Sequence, residues 1–413
     1  MSVETVTIER LGAQGDGIAT VGGEPVYVGY TLPGERVTIN RIGSRGEAVS
    51  IDASAPERTS PPCRHFGPSS DRCGGCLLQH LDINYYNSWK KQLVADALSA
   101  RGIDADIAPL IACRTGSRRR AVFSARAVKG GIVLGFNRAG THTIADIREC
   151  AVLRPSIVEA LPGLRTLAGA IARGGKPFRL QVLESLTGLD VAVDGLRGLP
   201  EKQRQEAIGR ALELGYARLS LGTEILVEAR KPLLRFAGID VSPPPAGFVQ
   251  ASAEAQEAMI ETVAAHLDGA KRIADLFSGC GTFALPLARH GAVDAVESDG
   301  AALKALDHAA RHTPGLKPVT VERRDLFRRP VTAAELKKTD AIVFDPPRAG
   351  AQAQAREIAA SGVAKAAAVS CNPATLARDL RILIDGGFKL VSVTPIDQFL
   401  WSPHVEAIAL LER

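Results

Sequence analysis

Apolar and polar positions alternate with three different rhythms along this chain, and each rhythm predicts a different architecture. Over residues 1–55, short β-type runs (Val6-Thr7-Ile8, Gly17-Ile18-Ala19, Pro25-Val26-Tyr27-Val28, and those at 35–39 and 47–51) are separated by glycine-containing or Pro-Gly breaks. Five short strands joined by tight turns predict a small OB-like β-barrel, a fold that often binds nucleic acid. A Pro/Ser-rich connector at 56–62 leads to a group of cysteines and then to helical apolar spacing over 84–101. Residues 118–240 mix strand-like runs at 121–127, 132–136, 179–183 and 189–193 with one amphipathic helix near 201–214, which predicts a central α+β domain. Beyond Pro243-Pro244-Pro245-Ala246-Gly247, apolar strands at 272–277, 292–297, 341–344, 366–370, 389–395 and 407–411 alternate with helices, the pattern of a doubly wound, Rossmann-like α/β domain. The expected layout is therefore 1–57, 58–240 and 241–413, with no internal repeat.

A length of 413 residues suits two or three domains, in keeping with that division. Hydrophobic residues at 46% and charged residues at 23% exclude a disordered, collagen-like or coiled-coil chain. No apolar run of about 18 residues occurs, and Met1-Ser2-Val3-Glu4 does not open a secretory leader, so a cytoplasmic protein without a membrane partner is expected. The net charge of +5 says little, but its distribution says more. From Cys113 to Ala145 there are seven basic residues (Arg114, Arg118, Arg119, Arg120, Arg126, Lys129, Arg138) and no acid. Strands presenting a basic face to phosphates are one reading, and a solvated face balanced elsewhere in the fold is the other.

Ile273-Ala274-Asp275-Leu276-Phe277-Ser278-Gly279-Cys280-Gly281-Thr282 reads as a strand, a glycine turn and the start of a helix, and the next strand ends at Glu297. Glycines let backbone approach a ligand closely, and a carboxylate ending the second strand can accept hydrogen bonds from both ribose hydroxyls. Together these indicate a nucleoside cofactor, with a nicotinamide dinucleotide still open. Asp345-Pro346-Pro347-Arg348-Ala349-Gly350 follows the apolar strand at 341–344 and sets rigid polar groups over the same crevice. Base methyltransferases of nucleic acids commonly carry an acid-or-Asn-Pro-Pro segment here, which favours S-adenosylmethionine.

Ser370-Cys371-Asn372-Pro373-Ala374-Thr375 places a thiol where a strand breaks into a helix N-terminus, a setting that can lower its pKa and make it a nucleophile. Glu406, in His404-Val405-Glu406 between apolar neighbours, can have a raised pKa and act as a general base. A surface carboxylate remains the alternative for Glu406, and His404 is left as a loop residue.

In this order and spacing, Asp-Pro-Pro-Arg-Ala-Gly, Ser-Cys-Asn-Pro-Ala-Thr and His-Val-Glu resemble the RNA uracil-5-methyltransferase family, most specifically over 248–413. The resemblance implies an RNA substrate, Cys371 adding to carbon 6 of a uracil, methylation at carbon 5 from S-adenosylmethionine, and Glu406 removing the carbon-5 proton. It also implies Gln250, Phe277, Glu297 and Asp345 as cofactor-binding residues, with Asp325 near the adenine. Ala368, Leu400-Trp401 and Thr282 depart from the family's usual residues and bear on how the target base packs. Cys63, Cys73, Cys76 and Cys150 form C-x9-C-x2-C-x73-C, a pattern suited to four-thiolate coordination, and ligand type alone does not separate zinc from iron–sulfur. The resemblance implies a [4Fe-4S] cluster in a structural or RNA-positioning role, as in members that carry an N-terminal TRAM barrel. That layout is similar to the 23S ribosomal RNA type, acting as a monomer. A transfer-RNA target, cytosine-5 chemistry, a non-catalytic RNA-binding assembly factor and an iron–sulfur redox protein with a nucleoside site are the competing readings.

Overall fold

The computed structural model describes residues 2–69 and 71–413, so Met1 of the expected barrel and Ser70 of the central segment lie outside the described residues. The barrel strands are β1 (Ser2–Thr7), β2 (Arg10–Leu11), β3 (Gly17–Val21), β4 (Glu24–Val28), β5 (Arg36–Ile42) and β6 (Arg45–Ala53). They form one sheet in the order β1-β5-β6-β4-β3-β2. Alternation along each strand turns Val6, Val26, Val28, Val37 and Ile39 into a small interior. The five expected strands are all present, and β2 is a two-residue addition too short to leave a periodic trace.

The middle of the chain contains α1 (Ile83–Ser99), β7 (Ile111–Ala112), β8 (Arg120–Val128), β9 (Gly131–Asn137), β10 (Ile144–Asp146), α2 (Pro155–Glu159) and α3 (Leu161–Ile171). It continues through β11 (Phe178–Ser185), β12 (Gly188–Asp194), α4 (Glu201–Glu213), β13 (Arg218–Leu221) and β14 (Glu224–Glu228). Seven strands form a sheet in the order β10-β9-β8-β11-β12-β13-β14. Leu164 and Leu167 of α3 and Ala207 and Ala211 of α4 pack into the same core as Phe123, Leu180 and Val191 of the strands. The sequence predicts one helix here, α4; the structure adds the short α2 and also α3, which starts at Leu161-Pro162-Gly163-Leu164, where Pro in the first turn starts a helix and the glycine signals a turn instead.

The last domain opens with the hairpin β15 (Leu234–Phe236) and β16 (Ile239–Val241), then α5 (Ala253–His266), β17 (Arg272–Leu276), α6 (Ala284–Leu287), β18 (Ala292–Glu297), α7 (Gly300–His312) and β19 (Val319–Arg323). It ends with β20 (Ala341–Phe344), α8 (Gln352–Ala360), β21 (Lys365–Ser370), α9 (Pro373–Asp385), β22 (Lys389–Asp397) and β23 (Glu406–Glu412). Its eight-stranded sheet runs β19-β18-β17-β20-β21-β23-β22-β7, with β17 to β21 parallel and β23 antiparallel to both neighbours. Helices cover both faces of the sheet and bury one apolar cluster on each. Although α1 and β7 fall within 58–240, both pack with this last domain. Val94 and Leu98 of α1 join the core of β20, β21 and α9, and β7 pairs in parallel with the end of β22.

Candidate active site

Strand register brings the reactive side chains together. Phe344 ends β20 opposite Ala368 of β21, and Ser370 ends β21 opposite Ala407 of β23. Carried one step further, the antiparallel register sets Cys371 across from Glu406, while Asp345 emerges from the neighbouring strand end. Ala368 is fully buried in the core, so its departure from the family's usual residue changes packing beneath the site and not its polar lining. Asn372 caps α9 through its side-chain oxygen, and its amide and the Thr375 hydroxyl both donate to the Arg348 carbonyl. Those bonds tie the Cys371 loop to the Asp-Pro-Pro loop.

A relay of two amides connects the two buried acids. Gln398 accepts from the Ala251 N–H at 2.9 Å, which fixes its amide orientation; its Nε2 then donates to Glu406 Oε2 at 2.7 Å and to Gln250 Oε1 at 2.8 Å. Gln250 in turn donates from Nε2 to Asp345 Oδ2 at 3.0 Å. Arg119, buried beneath, donates to the Gln250 carbonyl and to Gln256 Oε1. Glu406 Oε1 is buried with no partner among the described residues and so keeps a free lone pair. Burial raises the pKa of Glu406, with the Asp345 charge adding to the rise and the Gln398 bond opposing it. Burial likewise raises Asp345, against the bond from Gln250. Gln398 was not expected as a site residue, because nothing local in Asp397-Gln398-Phe399 marks it; its partners lie at positions 250, 251 and 406.

Cys371 departs from the expected electrostatics. Helix-terminus placement predicts a lowered thiol pKa, whereas half-burial and then the charges of Glu406 and Asp345 push it up to about 11, opposed by Arg348. The nucleophile, the base and Asp345 therefore share one electrostatic neighbourhood.

On the adjoining strand ends, Gly281 has φ +92°, and a Cβ there would sit 2.8 Å from Leu306, so the turn between β17 and α6 requires glycine. Phe277, at φ +64°, begins that turn, and its ring lies 5.5 Å from that of Phe327. Asp325 accepts from the Phe327 N–H and so shapes the turn that presents this second ring. Glu297 accepts from Gly279 N–H through Oε2 at 3.1 Å and from the N–H groups of Ser298 and Asp299 through Oε1. Asp275 is fully buried, and burial, with the charges of Asp345 and Glu297 adding to it and the Ala284 N–H opposing it, holds its pKa well above the usual range. Acids at 275, 297, 345 and 406 around the carboxyl ends of one sheet suit a cationic ligand.

The four cysteines line one cavity of about 270 Å³, together with Arg118, Phe399, Leu400 and His404. All seven cysteines are free thiols. Among the described residues, no three His, Cys, Asp or Glu side chains are close enough to clasp a single metal ion. The donor environment nonetheless fits bound thiolates: Gly75 N–H donates to Cys73 Sγ at 3.3 Å, and the N–H groups of Val152 and Leu153 favour a charged Cys150. Burial pushes Cys73 up to about 11 and Cys76 up to about 12, so these thiols are neutral until a cation draws the protons off.

The acid-free basic stretch divides in the fold. Arg119 is buried in the relay, Arg118 lies over the Phe399 ring at 5.9 Å and Arg120 over the Phe248 ring at 5.7 Å, while Arg114, Arg126 and Lys129 are exposed. Three of the seven therefore serve the interior and its rim. Arg120 and Arg126 share one face of β8, the face opposite the buried Ala121, Phe123 and Ala125, so their different exposure reflects what covers each end of the strand and not alternation.

Residues 318–413 match the tRNA (Uracil-5-)-methyltransferase family, and residues 1–40 match the TRAM domain. An RNA methyltransferase of Agrobacterium fabrum is 53% identical over 416 residues, covering 100% of both chains. A 23S rRNA (uracil(1939)-C(5))-methyltransferase of Chromohalobacter salexigens is 31% identical, covering 100% of this chain and 90% of its own. In fold, the chain is similar to the tRNA (uracil-54, C5)-methyltransferase of Pyrococcus abyssi crystallised with S-adenosyl-L-homocysteine, with a TM-score of 0.74 and 22% identity, covering 99% of this chain and 100% of that one. No helix among the described residues is long and apolar enough to cross a membrane.

Proposed function

We propose that this chain, which belongs to the RNA uracil-5-methyltransferase family, methylates carbon 5 of one uridine in ribosomal RNA with Cys371 as nucleophile and Glu406 as base. The observation that carries the reading is the register of β21 against β23, which faces the thiol with a buried carboxylate whose Oε1 is free. Carbon 5 of uracil is a poor nucleophile until covalent addition makes it enolate-like. The Cys371 thiolate, its proton lost to solvent, bonds to carbon 6, and the electron pair of the 5,6 double bond passes into the enolate. When bound, S-adenosylmethionine supplies a methyl group on a sulfonium, the electrophile that this enolate needs at carbon 5. Glu406 then accepts the carbon-5 proton at Oε1, the 5,6 double bond re-forms, and the Cys371 thiolate leaves. Phe277, Glu297 and Asp345, with Gln250 behind them, would hold the cofactor; burial is the main cause of the raised Cys371 pKa, and a positive sulfonium beside these acids would offset the smaller part that comes from the charges of Glu406 and Asp345. The target uridine has to leave its stack to reach this crevice, at a cost of roughly a few kcal/mol.

Ribosomal RNA is favoured over transfer RNA by the full-length relative that modifies 23S rRNA. The fold shared with a transfer-RNA enzyme means that domain layout alone does not choose between them. The four cysteines are the proposed ligands of a [4Fe-4S] cluster, supported by their common cavity and the N–H groups directed at sulfur. The reading is tested by incubating the Glu406→Gln variant with S-adenosylmethionine and 23S transcript. A protein–RNA adduct stable on a denaturing gel is expected, and none with Cys371→Ala. Turnover by Cys371→Ala would overturn the nucleophile assignment.

A further inference from the structure

Lys90 is fully buried, and the mechanism does not use it. It projects from the middle of α1 and makes an ion pair of 2.9 Å with Asp397, which is also fully buried. The same ammonium donates to the carbonyls of Phe399, at 3.4 Å, and of His404. One helical turn earlier, the Tyr86 hydroxyl donates to the other Asp397 oxygen at 2.8 Å and accepts from the Trp401 N–H at 2.7 Å. Asp397 also accepts from the Phe399 N–H. The loop from Gln398 to Val405 is therefore gripped near both ends by Lys90 and at its centre by Tyr86. Within it Trp401 adopts φ +58°, an uncommon conformation for a bulky residue, and its side chain is buried against Leu32, Leu78, Tyr86 and Trp89. Gln398 begins this loop and Glu406 follows it.

Buried ion pairs contribute little net stability, because desolvating both charges roughly cancels their attraction; apolar residues of similar size serve folding as well. A fixed ammonium that satisfies two loop carbonyls does something apolar packing would not, since it specifies the loop's path. We infer that Lys90, with Asp397 and Tyr86, is a positioning device that holds the Gln398–Glu406 segment so that the base meets the carbon-5 proton. The inference rests on the proposed reaction.

Elimination is the step that needs Glu406, whereas addition of Cys371 and methylation at carbon 5 precede it. Loosening the loop should therefore leave adduct formation near the wild-type rate and slow release. The test compares wild type, Glu406→Gln, Lys90→Met and Tyr86→Phe, each with S-adenosylmethionine and RNA transcript, measuring adduct formation in the first turnover and steady-state 5-methyluridine. Misplacing a catalytic group by about 1 Å costs on the order of 100-fold, so Lys90→Met should accumulate adduct and turn over roughly 10- to 100-fold more slowly. Tyr86→Phe, which keeps the ring and removes one hydroxyl, should show the same signature more weakly and covers the case in which Lys90→Met does not fold. Folded variants that turn over at the wild-type rate, or that lose adduct formation and turnover in equal measure, would overturn the inference. If wild type forms no 5-methyluridine and Glu406→Gln no adduct, the reaction itself has been misread and the positioning role falls with it.

Discussion

Replacing Gln398 by Met removes one hydrogen bond to the base while keeping the side chain's length. In the fold, Glu406 Oε2 has Gln398 Nε2 as its donor at 2.7 Å. Hydrogen bonds to charged groups are worth about 1.5–3 kcal/mol, and one pKa unit corresponds to about 1.4 kcal/mol, so losing this bond should raise the base by roughly one to two units. Glu406 works as the carboxylate, and burial already pushes it up to about 8, so turnover rises with pH through that region. Because Asp345 adds to the shift, the rising limb reports the pair as a unit. Gln398→Met should move the limb toward alkaline pH by about that amount, lower the rate near pH 7.5 by roughly 10- to 100-fold and recover part of the loss near pH 9.5. The assay is 5-methyluridine formation across pH 6–10 with saturating cofactor, alongside the melting temperature to confirm folding. A limb that stays in place, or a loss equal at every pH, would refute the role given to this amide.

The buried base should also cost stability. Its folded pKa lies above the ordinary 4.5, so its contribution is fully present below that value and is lost as pH rises through about 8. Glu406→Gln should therefore melt above wild type at pH 9, with the gap closing by pH 5, as differential scanning calorimetry would show. Phe327→Ala removes a half-exposed ring tilted against Phe277; an aromatic contact is worth about 0.5–1.5 kcal/mol, so if the cofactor's adenine takes such a contact with this ring, titration calorimetry should give S-adenosylmethionine binding weakened by roughly 2- to 10-fold. Anaerobically purified protein should contain four iron and four sulfide per chain, and Cys76→Ser should lose both; one zinc per chain would contradict the cluster assignment.

Much of the last domain is legible because its strands are continuous apolar runs that end in polar, glycine or Pro-Pro signals. Ala341–Phe344 and Ala292–Glu297 are located to the residue, and their ends carry Asp345 and Glu297. The edge strand Val319–Arg323 is not legible, since four of its five residues are exposed and it ends in two charged ones. Cys371 and Glu406 are visible as motif residues, yet their approach depends on the antiparallel pairing of β21 with β23, which no local pattern encodes. The same limit hides Gln398 and Lys90. Each is a polar residue with a partner far along the chain; Asp397 lies 307 positions after Lys90. A lysine on an amphipathic helix reads as solvent-facing, and only the fold shows it buried. The lowered thiol pKa fails for a related reason: the helix terminus is local, whereas the burial that raises Cys371, and then the charges of Glu406 and Asp345, come from other parts of the chain.

The central claim is tested most directly by nucleoside mass spectrometry of separated 23S and transfer RNA from a deletion strain, complemented with wild type or with Cys371→Ala. The account predicts loss of 5-methyluridine from 23S RNA alone, restored by wild type and not by the variant. Unchanged 5-methyluridine in 23S RNA, or restoration by Cys371→Ala, would contradict it.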